Sequence, residues 1–220
     1  MMIRSTSTGE SEREKDKVEG LKEASNIFDL GGKDAAFQKA CTDEQITLIA
    51  DQEQLRRNYG STEVAPPSSS LASTIMSVLK YGAVDPRSAH RLHADADRLA
   101  KKYKVSEKRQ WHIKVRAFSE SGQWSALRNL ADSRAKPPIG LRPFVLAAIR
   151  GGQGPFEITH YTDRMTDKSD MEARYNLFCE AGMWEKALED AIGLGDARKI
   201  AHVKSMCHSP DIQRFCDKQI

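Results

Sequence analysis

The sequence predicts an all-α fold, namely a short α-solenoid of stacked helical hairpins. Glycines stand at positions 122, 152 and 182, thirty residues apart, and each follows one helical segment and precedes another that an aromatic residue leads. The flanking segments carry apolar residues at the spacing of an amphipathic helix. One hairpin cannot bury its apolar face alone, so a repeated hairpin is typical of a stack in which neighbours cover one another.

The clearest copies of the repeat are "AFSESGQWSALRNLADS" (117–133) and "CEAGMWEKALEDAIG" (179–193). Each glycine is expected to supply a left-handed helix end. The aromatic residue that follows (Trp124, Phe156 or Trp184) is expected to start the second helix and fill the gap between hairpins. An Ala-Leu pair then packs the layer behind. The middle copy is degenerate, because it lacks that pair.

The residues before the repeat predict a different organisation. Residues 1–20 are charged and short of apolar anchors, which predicts a disordered N-terminal arm. Residues 21–69 predict an N-terminal helix or helices, with a break near Thr42-Asp43, followed by the Pro/Ser linker "GSTEVAPPSSS". The solenoid domain is expected over 70–220. Ser69 or Ser70 is expected to cap its first helix, which Gly82 ends.

Two further helices complete the prediction. Asp85-Pro86 opens a helix that extends to about residue 103 with an apolar stripe on one face. The segment "QWHIKVRAFSE" alternates as a half-buried strand would and also fits a helix. A helix is preferred, because a lone strand would leave its backbone hydrogen-bonding groups without partners.

Composition and motifs exclude several function classes. The net charge is +3, which is a weak argument for nucleic-acid binding. Four cysteines form no C-x-x-C, the N-terminus has no signal-peptide pattern, and no apolar run is long enough to span a bilayer. His90 and His93, or Cys207-His208, lack a third metal ligand. We therefore predict no enzyme activity, no cofactor and no metal.

The stretches "ADRLAKKYKVSEKRQWHIKVRAFSESGQWSAL" and "KPPIGLRPFV" carry a more specific signal. They resemble the C-terminal helical domain of the class C vacuolar protein sorting subunit sixteen family, core members of the HOPS and CORVET tethering complexes. The family pattern is kept at Lys108-Arg109, Trp111, Trp124, Pro138-Ile139-Gly140 and Pro143-Phe144-Val145. The sequence departs from it at His112, Pro137 and Leu141, and in an extended loop over 83–91.

The resemblance implies a non-enzymatic scaffold of an endosomal and vacuolar or lysosomal tether. Its helical face would dock the SM-family (Sec/Munc) subunit that regulates SNAREs, beside other HOPS and CORVET core subunits. It would contact membranes only peripherally, on late endosomes, vacuoles or lysosomes. Full-length members carry an N-terminal β-propeller and further solenoid, so a fragment or a short relative is expected. Candidate partner contacts are Ala96, Arg98, Lys102, Lys136, Ile139 and Arg164.

Other residues are expected to be structural: Trp111, Gly122, Trp124, Gly140, Gly182 and Trp184. As a core residue, Trp124 should cost ~3–5 kcal/mol when it is truncated to Ala. Reversing the charge of Lys136 and Arg164 together should weaken the SM contact without unfolding the chain. The alternatives are an RNA-binding helical repeat, or another coat or adaptor α-solenoid.

Overall fold

The computed structural model describes residues 4–219, with side-chain burial described from residue 12. Contacts between residues divide the chain into two compact units, Met1–Val105 (unit 1) and Ser106–Ile220 (unit 2). Both units are built from helices, and no β-strand occurs between residues 4 and 219. The predicted all-α fold is confirmed.

Unit 1 contains helices α1 (Arg4–Leu30), α2 (Ala36–Tyr59), α3 (Leu71–Val84) and α4 (Ala89–Lys102). Single 3₁₀ turns at Gly32–Ala35 and Pro86–Ser88 precede α2 and α4. Helices α1 and α2 form an antiparallel hairpin: Ser25 Oγ donates to Asp43 Oδ1 at 2.5 Å, and Arg56 Nη2 donates to Glu14 Oε2 at 2.5 Å. The core of unit 1 comes mainly from Leu48, Ile49, Leu55, Ile75, Val78, Leu79, Leu92 and Leu99.

Three local features of unit 1 differ from the sequence-based expectation. Residues 4–20, expected to be disordered, lie in α1, where the Glu14 and Arg56 side chains pair and are each only 12% exposed. Helix α2 is unbroken at Thr42, whose hydroxyl is satisfied within the helix by donating to the Gln38 carbonyl one turn earlier at 2.9 Å. Helix α3 continues through Gly82, which is buried.

The segment 60–70 is packed against the core of unit 1. Val64 and Ala65 are fully buried, and the Ala65 carbonyl accepts a hydrogen bond from Arg56 Nη1 at 2.9 Å. The expected cap at Ser70 is confirmed, since its hydroxyl accepts from the Ser73 amide at 3.2 Å. The division of the chain into 1–20, 21–69 and 70–220 stays a prediction.

Unit 2 shows the solenoid. Its hairpins pair α5 (Glu107–Glu120) with α6 (Trp124–Asp132), α7 (Arg142–Arg150) with α8 (Pro155–Thr162), and α9 (Lys168–Glu180) with α10 (Trp184–Leu194). The first helices of successive hairpins contact each other, α5 against α7 and α7 against α9. Helices α11 (Ala197–Met206) and α12 (Pro210–Asp217) follow. The segment that could have been a strand is helical, as predicted.

The three glycine turns share one backbone geometry. Gly122, Gly152 and Gly182 have φ of +70°, +65° and +69°, the left-handed region that favours glycine. In each turn the residue after the glycine donates its amide to the carbonyl five positions earlier, and the glycine donates to the carbonyl three positions earlier. These are the two bonds of a Schellman motif. The bonds that span five positions run from the Gln123 amide to the Phe118 carbonyl (2.8 Å), from Gln153 to Ala148 (2.9 Å) and from Met183 to Phe178 (2.8 Å).

The side chains keep the same thirty-residue register. The fifth and ninth residues after each glycine are buried in all three hairpins: Leu127 and Ala131, Glu157 and Tyr161, Ala187 and Ala191. The Ala-Leu pairs do not occupy equivalent places, because they are offset by one residue from their glycines. The repeated feature is therefore the burial pattern rather than the dipeptide.

The aromatic residues after the glycines have unequal roles. Phe156 is 74% exposed, so the expectation that it fills the gap between hairpins is wrong. The middle hairpin uses other rings: Tyr161 is fully buried, and its ring centroid lies 5.7 Å from that of Phe144. Trp124 and Trp184 are half-buried. The Trp124 ring lies on the backbone of Gly151, where an added Cβ would stand 2.2 Å from the ring.

We expect Gly151→Ala to destabilise the chain by about 1–3 kcal/mol, because the methyl group would displace the Trp124 ring. Trp124→Ala should cost about 3 kcal/mol, the low end for an aromatic truncation since the ring is half-buried. In a Trp124→Ala background the cost of Gly151→Ala should nearly vanish. Equilibrium urea unfolding of the three variants measures this coupling.

The matched control is Gly154→Ala, because a Cβ at Gly154 meets nothing within 4 Å and its φ is −70°. It should change the free energy of unfolding by less than about 1 kcal/mol. Additive costs for Trp124→Ala and Gly151→Ala would show that the cost of Gly151→Ala does not come from a clash with the Trp124 ring.

Candidate partner-binding surface

The candidates in unit 1 lie on α4. Ala96 is 1% exposed, so a partner could touch it only if unit 1 rearranged. The Arg98 side chain is 65% exposed, with Nη2 2.9 Å from Asp95 Oδ1. Lys102 Nζ lies 2.6 Å from Asp51 Oδ2, and its side chain is 44% exposed. Arg98 and Lys102 therefore keep exposed surface while each is balanced by an acid.

Two tyrosines join these acids between α2 and α4. Tyr59 OH donates to Asp95 Oδ2 and Tyr103 OH donates to Asp51 Oδ2, both at 2.7 Å. Burial, together with the hydrogen bond to Asp95, raises the pKa of Tyr59 to about 12. Burial and the Asp51 carboxylate likewise raise the pKa of Tyr103. Both phenols therefore stay protonated at neutral pH. Their hydrogen bonds hold in position the carboxylates of Asp95 and Asp51, which pair with Arg98 and Lys102.

The candidates Lys136 and Ile139 lie in the connection from α6 to α7. Pro137 is buried, Ile139 is half-buried, and Gly140 has φ +70°, which turns the chain into α7. The Lys136 side chain is 87% exposed, and its Nζ lies 3.6 Å from Asp167 Oδ2. This long, exposed ion pair constrains Lys136 little. Lys136 is thus the candidate cation in unit 2 that is most available to a partner.

Arg164, after α8, is committed to contacts within unit 2. Its Nη1 donates to Asp132 Oδ1 at 2.8 Å, and its Nη2 donates to the carbonyls of Ala131 (3.1 Å), Arg134 (2.8 Å) and Ala135 (3.3 Å). These bonds satisfy the C-terminal end of α6. Reversing its charge would break all of them. The partner contact is therefore best tested at Lys136 alone.

A buried polar cluster links the first two hairpins of unit 2. Glu157 of α8 is 6% exposed and accepts hydrogen bonds from Arg128 of α6 and from Tyr161 OH, the latter at 2.6 Å. Burial by itself would raise the pKa of Glu157. The bonds from Arg128 and Tyr161 outweigh that effect and hold its pKa below the ordinary value. Glu157 is therefore an ionised, satisfied residue at a core position.

Trp111, one of the predicted structural residues, is connected to this cluster through Phe144. Trp111 is 7% exposed, and its ring meets Phe144 edge-on with centroids 6.2 Å apart. The Arg134 guanidinium stands 5.9 Å from the Trp111 centroid. Trp111, Phe144 and Tyr161 thus form a continuous aromatic contact across two hairpins.

Among the described residues, no group of three or more His, Cys, Asp or Glu side chains is placed to hold a metal ion. Burial raises the pKa of the Cys179 and Cys216 thiols, the opposite of the change that activates a nucleophile. None of the helices between residues 4 and 219 combines the length and apolar character needed to cross a bilayer.

Over residues 2–219 the sequence matches the family described as "Vps16, C-terminal region". The chain belongs to this family. The Vps16 resemblance carried by the basic pair before Trp111 and by the Pro-Ile-Gly turn is thereby confirmed.

The relatives that the chain matches are much longer. Protein VACUOLELESS1 of Arabidopsis thaliana is 24% identical over 184 residues, covering 84% of this chain and 20% of that protein. The vacuolar protein sorting-associated protein 16 homolog of Drosophila melanogaster is 28% identical over 172 residues, covering 75% and 19%. The probable homolog of Schizosaccharomyces pombe is 22% identical over 208 residues, covering 92% and 23%. The chain thus spans about a fifth of the length of these relatives.

Sequence reasoning missed the buried ion pairs of this Vps16-family chain. Arg128–Glu157 joins two hairpins, and Arg174 pairs with Asp190 inside a third. One signal was present: Glu157 stands thirty residues from Leu127 and from Ala187, so the repeat itself marks it as a buried position. Nothing in the sequence indicates that Arg128 is its partner, because that choice depends on how α6 meets α8.

We expect Glu157→Gln to destabilise the chain by about 1–3 kcal/mol at pH 7, since it weakens a charge-assisted hydrogen bond and leaves Arg128 without its counter-ion. The pKa of Glu157 is lower in the fold than in the unfolded chain, so its carboxylate stabilises the fold above the unfolded value. That contribution is lost as the pH falls below about 4. Urea unfolding at a series of pH values should show wild type and variant converging in acid.

Glu189→Gln is the control, because Glu189 is an exposed acid of α10. Its curve should follow wild type at every pH. A Glu157→Gln deficit that stays constant from pH 7 to acid would contradict the lowered pKa.

Proposed function

We propose that this chain is a scaffold segment of a vacuolar protein-sorting tether of the HOPS or CORVET type, and that it docks the SM-family subunit through its helical surfaces. The family match over residues 2–219 carries the proposal. The relatives' names supply the process, since they are vacuolar protein sorting-associated proteins.

The form of unit 2 supports a scaffold role. Hairpins that repeat one turn geometry give a series of helices whose outer faces can meet a partner. Polar bonds such as Arg128–Glu157 and Arg164–Asp132 fix neighbouring hairpins against each other. A surface that is rigid before binding loses less conformational entropy when it docks. We accordingly propose a non-enzymatic role, in which unit 2 supplies a preformed surface.

The candidate contacts form one group in each unit. Arg98 and Lys102 lie on α4 of unit 1, and Lys136 with Ile139 precedes α7 of unit 2. Exposed cations near a half-buried aliphatic side chain suit a partner that presents acids around an apolar patch. We further propose that other core subunits of the tether adjoin the chain, and that it reaches late endosomal, vacuolar or lysosomal membranes as a peripheral part of the complex.

Ion pairing argues against the nucleic-acid alternative. Arg56, Arg128 and Arg174 are held by acids within the chain. Lys102, Arg116 and Lys199 are similarly paired. Binding to a phosphate backbone requires Lys and Arg side chains that are free to neutralise phosphates. At these positions the neighbouring acids lower the positive potential that RNA binding would need.

Co-expression of the chain with the SM-family subunit from the same organism tests the proposal. We expect the two proteins to co-purify at equal stoichiometry. Lys136→Glu should weaken the affinity by about tenfold, because it places like charge against the partner's acids. Arg98→Ala should weaken it less, since Asp95 already screens that cation. Isothermal titration calorimetry measures both changes.

Lys218→Glu reverses an exposed charge at the end of α12 and should bind as wild type does. Circular dichroism melts show whether each variant is folded. Failure of the wild-type chain to bind the SM subunit would overturn the proposed function. Normal binding by both folded variants would instead show that the contact residues lie elsewhere.

A further inference from the structure

Helices α5 and α7 of unit 2 leave an open groove of about 770 Å³ between them. Its lining residues stand four apart along each helix. His112, Arg116 and Glu120 lie on α5, and Arg142, Leu146 and Arg150 lie on α7. Residues at this spacing share one helix face, so each wall of the groove is one continuous stripe. None of these residues belongs to the candidate contacts described above.

The floor of the groove is apolar. Val115 is buried there, and Pro143, Leu146 and Ala147 are half-buried, so part of their surface faces the opening. Gly151 closes one end, where the Trp124 ring lies on its backbone. A concave apolar strip of this kind gains free energy when apolar side chains cover it.

The rim of the groove is basic. It carries three arginines and one glutamate. The glutamate is paired within the rim, since Arg116 Nε donates to Glu120 Oε1 at 2.6 Å. Arg142 and Arg150 are exposed, and neither has an ion-pair partner anywhere in the part of the chain that the structure describes. Two unpaired guanidinium groups thus stand on either side of Leu146.

We propose that this groove binds an amphipathic helix of a partner protein, with apolar side chains on the floor and acidic side chains against Arg142 and Arg150. Helix α7 has nine residues, so the groove accommodates about two and a half turns of a partner helix. A helix laid in a groove presents anchors at i, i+3, i+4 and i+7, which match an apolar strip of this length. Acids beside those anchors supply the complementary charge.

The apolar floor favours a protein helix over a phosphate-rich surface. Lipid headgroups or nucleic acid could satisfy the arginines but would leave Val115 and Leu146 uncovered. The inference does not rest on the proposed SM contact, because the groove shares no residue with the candidate contacts of that proposal.

The probe is a synthetic helical peptide of about sixteen residues, with Leu at the anchor spacing and Glu on both flanks. Two matched peptides test the two halves of the inference: one has Gln for every Glu, and the other is a scramble that destroys the apolar face. By fluorescence anisotropy with the full chain we expect a Kd of roughly 10–100 μM for the probe and at least ~10-fold weaker binding of both matched peptides.

The variant Arg142→Glu/Arg150→Glu should lose at least ~10-fold in affinity for the probe, and Leu146→Asp should lose a comparable amount. The control Lys168→Glu/Lys218→Glu makes the same change in net charge at exposed residues outside the groove and should stay within ~2-fold of wild type. Circular dichroism melts check folding, and Arg142→Gln/Arg150→Gln replaces the first variant if it does not fold.

Equal binding of the probe by the groove variants and wild type would overturn the inference, as would equal binding of the scrambled peptide. A third arm uses vesicles that contain phosphatidylserine. Vesicle binding that depends on Arg142 and Arg150, without probe binding, would make the groove a membrane-contact surface and would also overturn it.

Discussion

The left-handed glycine turn at residues 122, 152 and 182 is the constraint on which unit 2 depends. At φ near +65° to +70° a side chain would strain the backbone, so glycine keeps the amides that follow each turn aimed at the carbonyls of the preceding helix. Because the turn recurs every thirty residues, the second helix of each hairpin starts at the same rotation about its axis relative to the core. The fifth and ninth residues after each glycine therefore face the core whatever their chemistry.

The phase imposed by the turn explains the polar residues of the core. Glu157 occupies a place that Leu and Ala fill in the neighbouring hairpins, and the chain satisfies it with Arg128 and Tyr161 instead of excluding it. Arg164 similarly closes the end of α6 from the next hairpin. These bonds are directional, so they specify how one hairpin sits on another where apolar contact alone would allow sliding. A rigid stack suits a protein whose proposed role is to present surfaces.

The surfaces differ in how free their charges are. On α4 the cations Arg98 and Lys102 are each matched by an acid that a tyrosine holds in place. In unit 2 Lys136 has only a long ion pair, and the α5–α7 groove carries unpaired arginines beside apolar residues. Electrostatic steering and specificity depend on charges that a partner can still neutralise. The surface of unit 2 therefore carries the stronger argument for partner binding, at two separate places.

The sequence alone determined the helical class, the glycine turns, a cap at Ser69 or Ser70 and the family, because each depends on local backbone chemistry or on short motifs such as Pro138-Ile139-Gly140. Only the tertiary structure decided which side chains meet. Local patterns predicted disorder for residues 4–20, where pairing of Glu14 with Arg56 now forms part of a helical hairpin, and a packing role for Phe156, which is exposed. Burial depends on neighbours distant along the chain, so periodicity could indicate that a face is covered without identifying the residue that covers it.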